Sequence, residues 1–179
     1  MKRVIIISTF KDSLFLKDCL ESLIGCKYPV IIHFNSEEKN EFEMGAVRIG
    51  KELEIDEFFV LPDTCKIKNL EIFDIAFDIP QSCCLDLNYL SYVGKYRLEV
   101  LNQLELPIVR TKIEAWQQEF EFHEKYARIE KPVKLFPGFW DDKNSFQFFH
   151  NDRLNLVNEN EYIIKYKGCY TKEMVLNYE

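Results

Sequence analysis

The stretch RVIIISTF (residues 3–10) decides the fold. Its continuous, β-branched apolar run predicts a strand buried on both faces, as in a parallel sheet. The helical stretch SLFLKDCLESLIG (13–25) follows, with apolar residues at helical spacing and Gly25 as its stop. A second strand, VIIHF (30–34), then leads through a polar segment into a second helix.

The stretch DEFFVLPDTCKI (56–67) contains a third strand, at 57–61. Alternation of strand and helix with short turns predicts a parallel α/β sheet. We therefore predict one α/β domain over 1–179, with a mostly parallel central sheet flanked by helices. A chain of this length is large enough for one full-sized core.

Polar side chains follow each of the three predicted strands. They are Ser8-Thr9, Asn35-Ser36 and Asp63-Thr64. Parallel α/β sheets bind ligands at the carboxyl ends of their strands. We therefore expect these three pairs to converge on one crevice.

The second half of the chain is less regular. The pattern predicts a short helix at 69–77, a strand at 82–90 and a helix at 95–104. The strongest helical pattern is 111–129, where Thr111 and Glu114 form a capping box. The remainder, beyond Pro132, is aromatic and is predicted to be mostly loop.

Composition narrows the class of function. The net charge of −7 and the pI of about 5.1 argue against broad binding to a nucleic-acid backbone. The apolar run in MKRVIIISTF is too short for a signal peptide or a membrane span. The six cysteines have no metal-binding spacing, so we expect a cytoplasmic protein with free, mostly buried thiols.

The segment LKDCLESLIGCKYP (16–29) closely resembles the helix pattern LxxCLxSLxxQxYP of inverting glycosyltransferases with the type A fold, close to family two. Where those enzymes have a PTYN turn, a DDGS strand end, a GxxxARNxG helix and an Asp-x-Asp motif, this chain has IISTFKD, HFNS, GAVRIG and FFVLPDT. Residues 1–65 therefore resemble the nucleotide-binding half of such an enzyme. Residues 66–179 would then form the acceptor-binding, C-terminal half.

The resemblance implies transfer of a sugar from a UDP-sugar or GDP-sugar to a glycan or another hydroxyl acceptor. It also implies a divalent ion, Mn²⁺ or Mg²⁺, to neutralise the diphosphate. Asp63 and His150 would be the metal ligands. The alternatives are that Asp63 caps a turn after Pro62 and that His150 is structural.

Donor contacts are also implied by the resemblance. Thr9 and Phe10 would contact the base and ribose, and Asn35 would take the place of the aspartates that meet the uracil. Three basic residues would approach the nucleotide or its phosphates, namely Arg48, Lys95 beside the loop glycine Gly94, and Arg153. Surface salt bridges are the alternative role for Arg48 and Lys95.

The general base of the resembled reaction would be Glu114 or Glu119, which would accept the proton of the acceptor hydroxyl. A capping or solvent-exposed role explains either residue equally well.

The chain departs from the family at three motifs, and in the first of them Asn35-Ser36 replaces the aspartate pair. Asp-x-Asp is reduced to Leu61-Pro62-Asp63, and the Glu-Asp pair becomes Lys112-Ile113-Glu114. The alternative function is therefore a non-catalytic type A domain that binds a nucleotide or a protein partner. A nucleotidyltransferase or a methyltransferase is disfavoured, because STFKDS after the first strand contains no glycine.

Overall fold

A six-stranded sheet and a smaller three-stranded sheet are formed by the strands of the computed structural model. The structure describes residues 1–10, 13–36, 41–86, 93–109, 112–139 and 156–166. Within these residues the strands are, in chain order, β1 (Arg3–Phe10), β2 (Val30–Asn35), β3 (Glu57–Pro62), β4 (Cys65–Ile67), β5 (Cys83–Cys84), β6 (Gly94–Arg97), β7 (Val133–Lys134), β8 (Leu156–Glu159) and β9 (Ile163–Tyr166). The helices of the same residues are α1 (Leu16–Glu21), α2 (Phe42–Glu52), α3 (Glu71–Asp78), α4 (Leu98–Leu101) and α5 (Lys112–Ile129).

Strand β1 lies inside the large sheet, whose order is β2-β1-β3-β6-β5-β7. It pairs in parallel with β2 on one side and with β3 on the other. Strand β6 pairs antiparallel with both β3 and β5, and β5 pairs in parallel with β7. Five of the six described strands therefore run in one direction. This confirms the predicted α/β domain with a mostly parallel central sheet flanked by helices.

Both faces of the central strands β1 and β3 are buried, because successive residues point into opposite apolar layers. Ile5 and Ile7 of β1 pack in the layer that contains α1 and α3. Val4 and Ile6 pack in the layer that contains residues of α2, α4 and α5. The side chains of β3 alternate between the same two layers. Because both faces of these strands are apolar, their polar side chains lie at the strand ends.

Helix α1 is shorter than the predicted 13–25. After Glu21 the backbone hydrogen bonds join residues three apart, as in the bond from the Leu23 amide to the Leu20 carbonyl, so the helix tightens into turns. Gly25 has φ +86°, a conformation that residues with a side chain rarely adopt. Regular helix therefore ends at Glu21, before the predicted stop, and Gly25 closes the turns that follow it.

Four other predicted elements agree closely with the structure. The second and third strands and the 111–129 helix are found as β2, β3 and α5, and the 69–77 helix is found as α3. Thr111, the proposed cap of α5, lies outside the described residues. Of the strand predicted at 82–90, Cys83–Cys84 forms β5, and 87–92 lies outside the described residues.

The predicted helix at 95–104 is wrong in its first half. Residues Gly94–Arg97 form β6, which pairs with β3, and only Leu98–Leu101 are helical. Tyr96 is buried and stacks on Phe58 of β3 with ring centroids 5.7 Å apart. Pairing with an existing strand and burial of this aromatic ring outweigh the helical propensity of the segment. Gly94 accordingly begins a strand.

The small sheet was not predicted. Its order is β4-β9-β8, and β4 pairs antiparallel with β9. The chain thus leaves the large sheet at Asp63-Thr64 and enters the small sheet at Cys65. The strands are too short for a clear periodic pattern, and β9 is about a hundred residues away from β4 in sequence.

Five cysteines lie in the described residues. All five are free thiols, and only Cys26 of these is less than fully buried, as predicted for the thiols of this part of the chain. No helix among the described residues combines the length and the apolar character that crossing a bilayer requires.

Gly50 provides a test of the packing between α2 and β3. A Cβ atom at Gly50 would lie 2.3 Å from the Cζ atom of Phe58. Alanine usually stabilises a helix interior relative to glycine by about 1 kcal/mol. We nevertheless expect Gly50→Ala to lower the free energy of unfolding by about 1–3 kcal/mol, because the core is overpacked. Urea denaturation measures this change.

Glu52→Ala, at an exposed position of the same helix, serves as the control and should change the free energy of unfolding by less than about 0.5 kcal/mol. A Gly50→Ala protein more stable than the wild type would contradict the contact between α2 and β3.

Candidate functional site

The carboxyl ends of β1, β2 and β3 lie side by side. In the parallel register Phe10 is opposite Asn35, and Ser8 is opposite Pro62. From β1 the chain passes to β2 on one side, and from β2 it crosses to β3 on the other side. The order of strands therefore reverses around β1, and such switch points are where open α/β sheets bind ligands.

Asp63 sits at this switch point, directly after β3. Its amide donates a hydrogen bond to the Ser8 carbonyl at 3.1 Å. Its carboxylate Oδ2 accepts a hydrogen bond of 2.6 Å from the Thr9 hydroxyl. The other oxygen, Oδ1, is buried and has no hydrogen-bond donor within the described residues. Thr9 thus holds one carboxylate oxygen of Asp63, and the other is enclosed by the protein.

Asn35 joins the same network from β2. Its Nδ2 donates to Ser8 Oγ at 3.1 Å and to the Thr9 carbonyl at 3.3 Å. Thr9, Asn35 and Asp63 therefore meet at one edge of the sheet, as the sequence predicts. They line a closed cluster and not an open crevice, since Thr9 and Asp63 are each 1% exposed and Asn35 is 4% exposed. Phe10, at the end of β1, is also buried.

Lys165 of β9 lies against this cluster and was missed by the sequence analysis. Its Nζ donates a hydrogen bond to the Thr64 hydroxyl. Its backbone pairs with Cys65, two residues after Asp63. The β-branched and aromatic residues of YIIKY (162–166) are a weak signal for a strand, but they do not indicate that the strand pairs next to Asp63.

Glu43, in the first turn of α2, is the second acidic group of the cluster. Burial raises its pKa to about 7, and the charge of Asp63 acts in the same direction. Its own backbone amide and the charge of Lys165 lower this pKa. In the sequence Glu43 lies in a polar segment that leads into the helix, and nothing in that segment indicates burial.

The charge state of Asp63 is set by opposing effects. Burial raises the pKa of its carboxyl group. The hydroxyls of Ser13 and Thr9 and the positive charge of Lys165 lower it. The cluster therefore combines two buried acids with the ammonium group of Lys165.

Two thiols adjoin these charges. Burial raises the pKa of Cys65 to about 12 and raises that of Cys19 as well. Both thiols therefore stay protonated at neutral pH. A thiolate nucleophile or a thiolate metal ligand is not favoured at these positions.

Lys95 is not brought to this edge of the sheet. Its side chain is completely buried, and its Nζ donates to the Ile79 carbonyl and to Glu57 Oε1, the latter at 3.4 Å. Glu57 begins β3, at the end opposite Asp63, and also binds Arg3 at 2.9 Å. Because β6 runs antiparallel to β3, Lys95 pairs with Phe59 and reaches the amino edge of the sheet.

Arg48 is held by two polar contacts. Its Nε lies 3.2 Å from Glu41 Oε1, and its Nη2 donates to the Pro107 carbonyl at 2.6 Å. This fits the alternative role of a salt bridge that joins α2 to the segment before α5. The contacts of Arg48 thus fix neighbouring backbone segments.

The remaining predicted residues lie in or beyond α5. Glu114 is exposed in the first turn of that helix. Glu119 belongs to the same helix, and its side chain is not described. His150 and Arg153 lie outside the described residues.

A divalent ion at the cluster would need ligand atoms from the surrounding side chains. No three His, Cys, Asp or Glu side chains in the described part of the chain form a metal-binding group. Asp63 alone offers one carboxylate oxygen without a donor. Mg²⁺ is commonly bound through one or two carboxylates together with substrate phosphates. The described residues of the cluster therefore do not provide a complete set of protein ligands for such an ion.

Comparison with known proteins adds little to this geometry. No family model matches the sequence, and no curated protein matches it. The solved structure of A197 from STIV is similar with a TM-score of 0.46 and 12% sequence identity. The match covers 69% of this chain and 78% of that chain. A likeness this distant carries no conclusion about function.

The bond between Thr9 and Asp63 can be tested directly. We expect Thr9→Val to lower the free energy of unfolding by about 1–3 kcal/mol, because it removes the donor to a buried carboxylate. Thr9→Ser keeps the hydroxyl and should cost less, about 1 kcal/mol for the lost methyl group. Urea denaturation at neutral pH compares the two variants. Equal stability of Thr9→Val and the wild type would show that this hydrogen bond contributes nothing.

Proposed function

We propose that the protein is a glycosyltransferase of the type A fold, which transfers a sugar from a UDP-sugar or GDP-sugar to a hydroxyl acceptor. One observation carries the proposal. A buried carboxylate, Asp63, lies at the switch point between β1 and β3 with one oxygen lacking a donor. The sequence there resembles the metal-binding strand end of those enzymes.

The donor would bind along the carboxyl ends of β1, β2 and β3. Its base and ribose would lie near Thr9, Phe10 and Asn35, and its diphosphate would lie near Asp63. The Asn35 amide is already ordered by Ser8 and Thr9, so its orientation does not have to be fixed when the ligand binds. Such preorganisation lowers the entropic cost of binding.

A Mn²⁺ or Mg²⁺ ion would stabilise the charge that develops on the diphosphate when it leaves the sugar. Asp63 Oδ1 is the oxygen that would hold it, and His150 remains the second expected ligand. The Thr9 hydroxyl orients the carboxylate through its bond to Oδ2. The residues of this chain would thus fix the diphosphate at the sheet edge.

The acceptor hydroxyl would attack the anomeric carbon as the bond to the diphosphate oxygen breaks. A carboxylate must take the hydroxyl proton, and Glu114 or Glu119 of α5 is the proposed base. Glu114 is exposed, so an acceptor in solution can reach its carboxylate. Turnover should therefore be lost in Glu114→Gln if this residue is the base.

A non-catalytic domain is the second candidate, and the position of Lys95 favours it. One of the basic residues expected at the phosphates is bound instead to Glu57 and Ile79 at the amino edge. A domain that binds the nucleotide without turnover needs fewer charged groups. Sugar transfer to an acceptor distinguishes the two candidates, since only the enzyme would release the nucleoside diphosphate.

Asp63→Asn tests the proposed donor site. We expect the affinity for UDP or GDP in the presence of Mn²⁺ to fall at least about tenfold, or roughly 1.4 kcal/mol. The substitution removes a hard anionic ligand but keeps the size of the side chain. Titration calorimetry measures the affinity, and EDTA should weaken binding to the wild type for the same reason.

Asp56→Asn is the matched control, because Asp56 is exposed and adjoins the opposite end of β3. It should bind the nucleotide as the wild type does. Unchanged, metal-dependent binding in a folded Asp63→Asn protein would refute the role of Asp63. Unchanged affinity of the wild type in EDTA would refute the role of the metal.

A further inference from the structure

The part of the Asp63 cluster nearest to solvent carries positive charge. Asp63 and Thr64 are each 1% exposed, and Glu43 is 7% exposed. Lys165 is only partly buried, and its ammonium binds the Thr64 hydroxyl next to Asp63. Lys165 is therefore the most exposed of these four residues.

The position of Lys165 is fixed by backbone pairing. Strand β9 places Lys165 opposite Cys65 in an antiparallel ladder, and β4 continues directly from the Asp63-Thr64 corner. The hydrogen bond to Thr64 further limits the rotamers of this long side chain. Because the ammonium is already ordered, binding an anion there costs less side-chain entropy.

The positive charge of Lys165 offsets negative charge around the cluster. The protein has a net charge of −7, and two carboxyl groups lie in the cluster. The charge of Lys165 acts on both Asp63 and Glu43. An anionic ligand needs a local cation to offset these acids, and Lys165 is positioned to provide it.

We propose that Lys165 binds the diphosphate of the nucleotide donor, acting from the small sheet beside Asp63. This inference rests on the proposed function and adds a residue to its site. Lys165 takes the role that the sequence analysis expected of Lys95. During transfer the electron pair of the breaking sugar–oxygen bond passes to the diphosphate oxygen, and the ammonium stabilises that charge without giving up its proton.

The experiment compares the wild type with Lys165→Gln, Lys165→Arg and Lys68→Gln. Glutamine keeps a donor for Thr64 and removes the charge, whereas arginine keeps the charge. Lys68 follows β4 beside the same small sheet, where it pairs with Glu159 at 3.4 Å, and serves as the control. The probes are UDP and inorganic pyrophosphate, each titrated by calorimetry with Mn²⁺ and with EDTA.

We expect Lys165→Gln to weaken both probes at least about tenfold with Mn²⁺ and with EDTA. Lys165→Arg and Lys68→Gln should stay within about threefold of the wild type. Pyrophosphate lacks the base, so a matching loss for both probes assigns the effect to the phosphates. Loss of folding in Lys165→Gln leaves Lys165→Met for the same comparison.

Two results would contradict different parts of this proposal. A wild type that binds UDP while Lys165→Gln binds it equally well would overturn the role of Lys165 alone. A wild type that binds neither probe under either condition would overturn the proposed function, and the inference with it.

Discussion

The burial of β1 on both faces is the constraint from which the rest of the structure follows. Ile5 and Ile7 face one apolar layer, while Val4 and Ile6 face the other. A strand enclosed in this way cannot carry polar side chains along its length without large desolvation costs. Its hydroxyl residues are therefore confined to the carboxyl end, where the neighbouring strands also end. The hydrogen bond between Thr9 and Asp63 is a direct consequence of this arrangement.

The arrangement of charges at the carboxyl edge of β1 and β3 depends on how the two sheets are joined. The chain leaves the large sheet at Asp63 and joins the small one at Cys65, so β9 delivers Lys165 to the buried acids. Without that ammonium, Asp63 and Glu43 would oppose each other in a desolvated environment. The small sheet thus contributes charge to the site as well as packing. Any ligand at this edge would be recognised jointly by both sheets.

The sequence predicts what is local and periodic. Thr9, Asn35 and Asp63 could be placed together because each ends a strand whose apolar pattern is unmistakable. Lys165 could not be placed, because its position depends on pairing between strands a hundred residues apart. Lys95 was expected near the phosphates because Gly94 resembled a loop glycine. Antiparallel pairing of β6 with β3 instead carries its side chain to Glu57. The pattern of a single sequence does not show which distant strands pair with each other.

The central claim is that the carboxyl edge between β1 and β3 is a site for a nucleoside diphosphate. Amide chemical shifts of the folded protein, titrated with UDP in the presence of Mg²⁺, test it most directly. We expect saturable shifts at Thr9, Asn35, Thr64 and Lys165, with little change at Glu57 and Arg97 at the opposite edge. Shifts concentrated at the opposite edge, or none at saturating UDP, would contradict it.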